Sequence, residues 1–402
     1  MKNAYLLILE LLICVSPLIA QEKNAPIFAT ASFGKGVAIM PADSSFSMKL
    51  NFRIQTLASY SRKIGDENGI ASLMIRRSRI KLDGFILSPK LKYKVELGLT
   101  NRDIESTQRG EDVDNPGPIL DMVLRWNFSG NWVFGFGQTK LPGNRERLVS
   151  SANLQFVDRS IVNSVFTTDR DAGFWLSHKT GKHVILRNTF ALTSGEGKNR
   201  SNARNPNTKN GSLSYSYRME ILLLGAFTNK GEYYQGDLAR EPKPKLAIAA
   251  AYNFNNNSVR NQGQLGDYFL GDDTKDIHTV FVDYVFKYKG FSTTGEYAYK
   301  YTADPISIDT NSPDKPLFVF KGYGFSAQTS YLFKNNIEIA ARYSKLYPHE
   351  DIASWRKDQR DISLGISKYL HGHKLKVQAD MTHSAYGKTN ALLARFQVEV
   401  QF

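Results

Sequence analysis

Arginine and lysine recur at every second position in two neighbouring stretches of the sequence, "IRRSRIKLDG" (75–84) and "KLKYKVELG" (90–98). The alternating cations are Arg77, Arg79, Lys81, Lys90, Lys92 and Lys94. In β-strands this spacing places the cations on one face and apolar residues such as Ile80 and Val95 on the other. Rows of Arg and Lys beside water favour anions, so anion binding is the chemistry that the pattern indicates. The alternative is that the cations only keep the face hydrated, since Asp83 and Glu96 partly neutralise them.

A second group of cations lies in the segment 141–171, "LPGNRERLVSSANLQFVDRSIVNSVFTTDRD". Its arginines are Arg145, Arg147, Arg159 and Arg170, and its acidic residues are Glu146, Asp158, Asp169 and Asp171. A guanidinium suits bidentate binding of phosphate or carboxylate, so each arginine is a candidate anion contact. Because the charges balance, an internal salt-bridge network that only fixes the segment is the competing interpretation.

Motifs of common catalytic and metal sites do not occur in the sequence. GxSxG, HExxH, Walker and GxGxxG patterns are missing, and "HGH" at 371–373 predicts a polar turn rather than a metal site. The only cysteine, Cys14, lies in an N-terminal segment that we expect to be removed, so neither a disulfide nor a thiolate is expected in the mature chain. We predict no metal, no cofactor and no enzymatic activity.

The elements that must position these cations are β-strands. "NIEIAARYSK" and "LKVQADMTH" alternate apolar and polar residues with period two, which is typical of strands with one polar face. Sixteen such segments begin near residues 45, 70, 89, 119, 131, 172, 183, 214, 244, 277, 290, 320, 336, 359, 373 and 390. Most exceed the length of about 5–6 residues usual in soluble sheets, and about ten tilted residues cross a bilayer.

Connections between these segments alternate in length. The connections after even-numbered segments are mostly tight, such as "SPK" at 88–90, whereas those after odd-numbered ones are usually long, such as 194–213. Only the link 228–243 is long on the short side. This asymmetry predicts an all-β, transmembrane antiparallel barrel of 16 strands, with short turns at one end and long loops at the other. Aromatic residues around one tight turn, including Trp126 and Phe136, would then form an interfacial girdle.

The N-terminus indicates export. "MKNAYLLILELLICVSPLIAQEK" has a basic start, an apolar run and a small residue at position 20, as in a signal peptide. We therefore expect a signal peptide at 1–20, an N-terminal periplasmic segment at 21–44 and the barrel at 45–402. The net charge of +14 would otherwise suggest nucleic acid, but an exported barrel argues against that partner and favours small anionic solutes.

A barrel of about 16–18 strands encloses water rather than a packed core. We therefore predict passive diffusion of small solutes through an outer-membrane channel, with a preference for anions. The apolar-rich segment 141–171 is expected to fold into the bore as its constriction, since loops this long are usually functional or disordered. A non-selective diffusion channel is the alternative. A barrel enzyme or a surface-binding protein is the alternative of another class.

Four stretches resemble the phosphate-selective porin O and P family in its Bacteroidetes-type form. They are 33–60, 74–103, 135–176 and 232–255, including "GFGQTKLPGNRERLVSSANLQFVDRSIVNSVFTTDRDAGFWL". The resemblance implies a sixteen-stranded trimer in the outer membrane of a Gram-negative bacterium, among lipid and lipopolysaccharide, with a constriction loop between strands 5 and 6. It places Arg76, Arg77 and Arg79 on a basic second strand and Arg145, Arg147, Arg159 and Arg170 on that loop.

The final stretch, "LLARFQVEVQF", alternates perfectly and ends on Phe402. As a sixteenth strand it must pair with the first, because an open sheet edge does not survive in lipid. Its terminal aromatic resembles the assembly signal of outer-membrane proteins. The barrel assembly machinery is therefore an expected partner.

Overall fold

The computed structural model of the protein describes residues 27–104, 117–200, 213–269, 273–308 and 316–402. The predicted signal peptide, 1–20, lies outside these described residues. No helix in the described part of the chain is long and apolar enough to cross a membrane.

Strands account for most of the fold. A short hairpin, β1 (Ile27–Ser32) and β2 (Gly36–Pro41), comes first. The next eleven strands are β3 (Phe46–Lys63), β4 (Ile70–Ile86), β5 (Ser88–Gly98), β6 (Ile119–Ser129), β7 (Trp132–Lys140), β8 (Arg170–Thr180), β9 (Ile185–Thr193), β10 (Ser214–Leu222), β11 (Lys245–Ser258), β12 (Lys275–Tyr288) and β13 (Phe291–Tyr301). The remainder are β14 (Ile306–Ser307), β15 (Leu317–Phe318), β16 (Gly322–Leu332), β17 (Ile337–Pro348), β18 (Gln359–Tyr369), β19 (Leu375–Tyr386) and β20 (Thr389–Gln401).

Sixteen of these strands form one closed antiparallel barrel. Strands β3 to β13 and β16 to β20 each pair with the next, and β20 pairs with β3. β14 and β15 pair only with each other in a loop. The predicted barrel is confirmed, and each predicted strand begins within two residues of the observed one. Period-two alternation located the strands because one face meets lipid and the other meets polar groups.

Alternate side chains divide between the outside and the inside of the barrel. On β12, Val282 and Tyr284 are exposed, whereas Phe281, Asp283 and Val285 are buried. The aromatic residues on either side of the tight turn after β6 are also exposed; they are Trp126, Phe128, Trp132, Phe134 and Phe136. The apolar residues that would form a core in a soluble protein therefore form the outer surface.

The closing seam joins β20 to β3. The register runs from Ala391 opposite Lys63 to Gln401 opposite Arg53. Phe52 and Phe402 then exchange two backbone hydrogen bonds of 2.7 and 3.0 Å. Beyond that point β2 takes over the pairing with β3, from Val37 opposite Leu50. The hairpin thus covers the edge of β3 that extends past the end of β20.

Two loops are folded within the barrel. The first, 141–169, joins β7 to β8 at the long-loop end and contains the short helices α1 (Arg145–Leu148) and α2 (Ile161–Phe166). The second, 223–244, joins β10 to β11 at the short-turn end and contains a 3-10 segment, Thr228–Tyr233. We call them the upper loop and the lower loop. Val162 and Phe166 of α2 pack against the wall in an apolar cluster that includes Phe281 and Leu346.

Candidate functional site: a cationic cavity inside the barrel

The upper loop crosses the bore. Arg53 on β3 donates to Ser151 Oγ (2.9 Å), Arg145 donates to Asp283 on β12 (2.6 Å), and the backbone N–H of Val157 donates to Asp380 on β19 (2.9 Å). β3 and β19 flank β20, whereas β12 lies across the barrel from them, so a loop that touches all three must pass through the interior.

A cavity of about 470 Å³ remains between the upper loop and the wall formed by β4 to β8. Its cationic lining is Arg76, Arg77, Arg79, Lys94, Arg102, Arg125, Lys140, Arg147, Arg159, Arg170 and Lys198. Only three acidic residues line it, namely Glu96, Asp103 and Asp169. Eleven cations against three carboxylates make this an anion-attracting space. We call it the cationic cavity.

A β-bulge on β4 concentrates arginines at the cavity. Gln55 on β3 faces Arg77, whereas the next residue, Thr56, faces Ile75, so Arg76 is the extra residue. A bulge re-aims side chains that strict alternation would send to opposite faces. As a result, Arg76 and Arg77 both point inward and both reach Asp158, at 2.9 and 3.4 Å.

Asp158 ties the upper loop to the wall. Besides Arg76 and Arg77, it lies 3.6 Å from Arg395 on β20. Burial alone would raise the pKa of Asp158, but the surrounding guanidinium groups, Arg77 foremost, hold it well below its usual value. The carboxylate therefore stays ionised, and this tether persists well into acid.

Carboxylates neutralise part of the cationic lining. Arg79 binds Glu96 (2.9 Å) and Asp103, and Lys94 binds Glu96 (2.9 Å) and Asp121 (2.5 Å). Burial would raise the pKa of Asp103, yet its hydrogen bonds from Arg79 lower it below the usual value. Arg147 likewise pairs with Asp169, and Arg170 with Asp121 (3.1 Å).

Other cavity cations have no carboxylate partner in the described part of the chain. Arg125, Lys140 and Arg159 make no ion pair within the described residues. Lys140 donates instead to the carbonyls of Arg147, Leu148 and Val149, and Arg159 donates to those of Glu146 (2.7 Å) and Val149 (2.8 Å). Burial lowers the pKa of Arg159 to about 10, which leaves it protonated at neutral pH. A carbonyl orients a guanidinium without cancelling its charge, so Arg159 can still attract an anion.

Seven of the ten sequence-predicted site residues lie around the cationic cavity: Arg76, Arg77, Arg79, Lys94, Arg147, Arg159 and Arg170. Lys81, Lys92 and Arg145 do not line it. Lys81 pairs with Asp83 (2.7 Å), and Lys92 is exposed nearer the short-turn end of β5.

Arg145 differs most from its predicted role as an anion contact. Its guanidinium binds Glu220 (2.7 Å) and Asp283 (2.6 Å) on the opposite wall, where Arg218 also binds Asp283 (2.7 Å). The arginine is buried, and with both carboxylates satisfied by the same chain it holds the loop rather than a solute.

Sequence reasoning missed four cavity cations: Arg102, Arg125, Lys140 and Lys198. Arg125 had a detectable signal, because it alternates with Asp121 and Val123 on the inward face of β6. The other three lie at a strand end or in loops, where alternation says nothing about direction.

Solved structures of outer-membrane channels share this fold. The anion-selective porin of Comamonas acidovorans superposes with a TM-score of 0.56 at 10% identity, covering 89% of this chain and 100% of that one. The channel DcaP of Acinetobacter baumannii gives 0.55 at 13% identity, covering 90% and 99%. The trimer form of OmpT, an outer membrane protein of Vibrio cholerae, gives 0.50 at 12% identity, covering 88% and 99%. No curated protein matches the sequence.

The closed sixteen-stranded barrel with a polar interior defines a porin, an outer-membrane channel for small solutes. Over residues 46–399 the sequence matches the family described as phosphate-selective porin O and P, and the chain belongs to that family. The protein therefore lies in the outer membrane of a Gram-negative bacterium, and its family consists of channels.

Proposed function

We propose that this porin conducts anions in preference to cations and that phosphate-like oxyanions are its solutes. The observation that carries the proposal is the cationic cavity, which is lined by eleven Arg and Lys side chains and three carboxylates. Asp121 and Asp158 pair with four of these cations, and the cations remain in clear excess. The family's description and the anion-selective neighbour agree with it.

Size and chemistry both suit a hydrated oxyanion. At about 470 Å³ the cavity far exceeds the roughly 15 Å³ that one water molecule needs, so an anion can enter with part of its hydration shell. Guanidinium groups offer paired donors that match phosphate oxygens, and Arg77, Arg79 and Arg147 bring such donors close together. Because most of these donors also have carboxylate partners, binding should be weak enough for release.

A non-selective diffusion porin is the second candidate. The pairing of Arg79, Lys94 and Arg170 with Glu96 and Asp121 favours it, since paired charges contribute little field. The two candidates differ in one measurable quantity, the ratio of anion to cation permeability.

Planar bilayers give the test. Purified protein is inserted, and the reversal potential across a KCl gradient is measured with and without added phosphate. Anion preference with block by phosphate supports the proposal, and cation preference would overturn it. The variant Arg77→Ala/Arg79→Ala/Arg159→Ala should lose anion preference, whereas the exposed-turn control Lys182→Ala should not.

For its assembly we propose a homotrimer embedded in lipid and lipopolysaccharide, supported by the trimer form of the Vibrio neighbour. We also propose that Phe402 is read by the barrel assembly machinery, since its side chain is half exposed at the end of the closing strand. Deletion of Phe402 should reduce the amount of barrel in the membrane more than it reduces the stability of barrel already formed.

A further inference from the structure

The lower loop has no role in the site described so far. Among the described residues it is the one long connection at the short-turn end, and instead of extending away from the barrel it carries buried residues, among them Glu232, Gln235, Asp237 and Glu241. A solvated turn would leave such polar residues exposed. Their burial shows that the loop is packed inside the bore.

Three contacts fix the lower loop to the barrel wall. Lys287 on β12 donates to the carbonyls of Gly231 (2.8 Å), Tyr234 (2.8 Å) and Gly236. Asp237 accepts from the backbone N–H of Gly290 (2.7 Å). Arg187 on β9 pairs with Glu232 (2.6 Å). An ammonium that gathers three carbonyls leaves the loop little freedom to leave the wall.

The lower loop meets the upper loop at Gln235. The Gln235 backbone N–H donates to Asn153 O (2.9 Å), and its side-chain oxygen accepts from the N–H of Gln155 (2.9 Å). Its own carbonyl lies 3.1 Å from His373 Nε2. The two loops, entering from opposite ends of the barrel, are thus hydrogen-bonded to each other inside the bore, toward its short-turn end.

Little space remains where the loops meet. The void between them, lined by Arg145, Glu232, Gln235, Glu296 and Gln328, measures about 30 Å³. That is room for one or two water molecules at about 15 Å³ each, and for no hydrated ion. The cationic cavity is about 470 Å³ and lies against the opposite wall.

We propose that the lower loop is a second selectivity element of this channel. By sealing the bore on the side of β10 to β17, it forces every solute along the cationic wall of β4 to β8. Gln235 and Lys287 are its positioning residues. The proposal rests on the channel function proposed above and adds that anion preference depends on a loop that contacts no solute.

Bilayer recordings of two variants test the proposal. In the first, residues 228–240 are replaced by a short glycine–serine turn, and in the second Lys287→Met is combined with Gln235→Ala. Lys289→Met is the matched control, because this exposed lysine lies two residues from Lys287 and its ammonium lies over the Tyr288 ring. Electrophoresis in SDS gels, comparing heated with unheated samples, shows whether the barrel of each variant has formed.

The folded loop-replacement variant should conduct about twofold or more above wild type, because a second water path opens through the bore. Its anion-to-cation permeability ratio should fall toward one, since that path lacks the cationic wall. The double point variant should show the same changes to a smaller extent, and it decides the matter if the loop replacement does not fold. A folded variant of either kind with wild-type conductance and selectivity overturns the proposal.

A disulfide supplies an independent measurement. The only cysteine of the sequence, Cys14, lies in the predicted signal peptide, so Asn153→Cys/Gln235→Cys introduces an isolated pair where the two loops touch. Oxidised channels should conduct like wild type, because the bond only locks the contact already present. A drop in conductance on oxidation would show that the loops separate during conduction, against the proposal. If wild type itself lacks anion preference while the loop variants still gain conductance, the proposed anion function fails and the sealing role stands.

Discussion

The arginines on two sides of the barrel interior have different surroundings. On the wall of β4 to β8, Arg and Lys side chains converge on the cationic cavity, and several lack a carboxylate partner in the described residues. On the facing wall, Arg145 and Arg218 are enclosed by Glu220 and Asp283, and an apolar cluster around Phe166 occupies the rest. An inward-facing arginine can therefore contact an anion only where it borders an open cavity and its charge is not neutralised by neighbouring carboxylates.

Arg145 and Arg147 make the contrast sharp, because they are two residues apart in one short helix. Side chains at i and i+2 of a helix do not face each other. Arg145 thus points to the carboxylates of β10 and β12, while Arg147 points into the cationic cavity. The first fixes the loop and the second gives the cavity its charge.

The largest expected effect is a loss of stability when Arg145 is replaced, because Arg145 binds the carboxylates of the wall that faces the cationic cavity. Arg145→Gln leaves Glu220 and Asp283 buried with fewer partners, which should cost about 3 kcal/mol or more of unfolding free energy. Urea unfolding in detergent micelles measures it, with Arg360→Gln at the exposed start of β18 as the control, which should cost little. A change in ion selectivity without a loss of stability would contradict the division between the walls.

The next effect is on selectivity, at the cavity wall. Arg102→Glu/Arg125→Glu reverses two cavity charges and makes a four-unit change in charge. Each unit acts on an ion about 7 Å away with roughly 0.6 kcal/mol in a water-like dielectric. The anion-to-cation permeability ratio should therefore fall by about tenfold or more. Reversal potentials report it, while the urea midpoint should stay near wild type; an unchanged ratio would show that the cavity is not the ion path.

A smaller effect of opposite sign is expected at the boundary between the walls. Asp158→Asn frees Arg76, Arg77 and Arg395 from their shared carboxylate. The anion-to-cation permeability ratio should therefore rise about threefold, which corresponds to the removal of one negative charge near the ion path. Acid should not mimic the variant at pH 5. The pKa of Asp158 in the folded chain is lower than its value of about 4 in the unfolded chain. Its stabilising contribution is therefore complete above about pH 4 and is lost as the pH falls toward the folded-state pKa. Wild-type selectivity that drifts between pH 7 and 5 would count against this assignment.

The last expected effect concerns His373, which contacts the lower loop at Gln235. Burial, aided by Lys376 and the nearby Lys287 and Lys374, lowers the pKa of His373 well below its usual value, so the folded chain keeps this histidine neutral. Stability should then decrease as pH falls below about 6.5, by at most about 1.4 kcal/mol per pH unit. His373→Gln should flatten this dependence in melting curves at pH 7 and 5. The partly exposed His349→Gln should leave it unchanged.

Much of the barrel was predictable from sequence because lipid and water impose a period of two on every strand. What escaped prediction lies where that rule fails. The bulge at Arg76 breaks the alternation locally, and it is invisible without the register against Gln55. The unusual length of the lower loop was apparent, but not that Lys287 and Gln235 would hold it inside. The different roles of Arg145 and Arg147 follow from the helix α1, which points their side chains in different directions. This helix has only four residues, too few to produce a recognisable sequence pattern.

The seam between β20 and β3 has a consequence for the order of folding. Gln55 and Glu399, hydrogen-bonded across this seam at 2.7 Å, are 344 positions apart in the chain. Contacts this distant form slowly, because loop closure costs entropy before pairing returns any stability. Until β20 arrives, the long edge of β3 is an open template for another chain, and the hairpin of β1 and β2 shields only one end of it. The interval before closure is therefore the period in which this porin is most prone to aggregate.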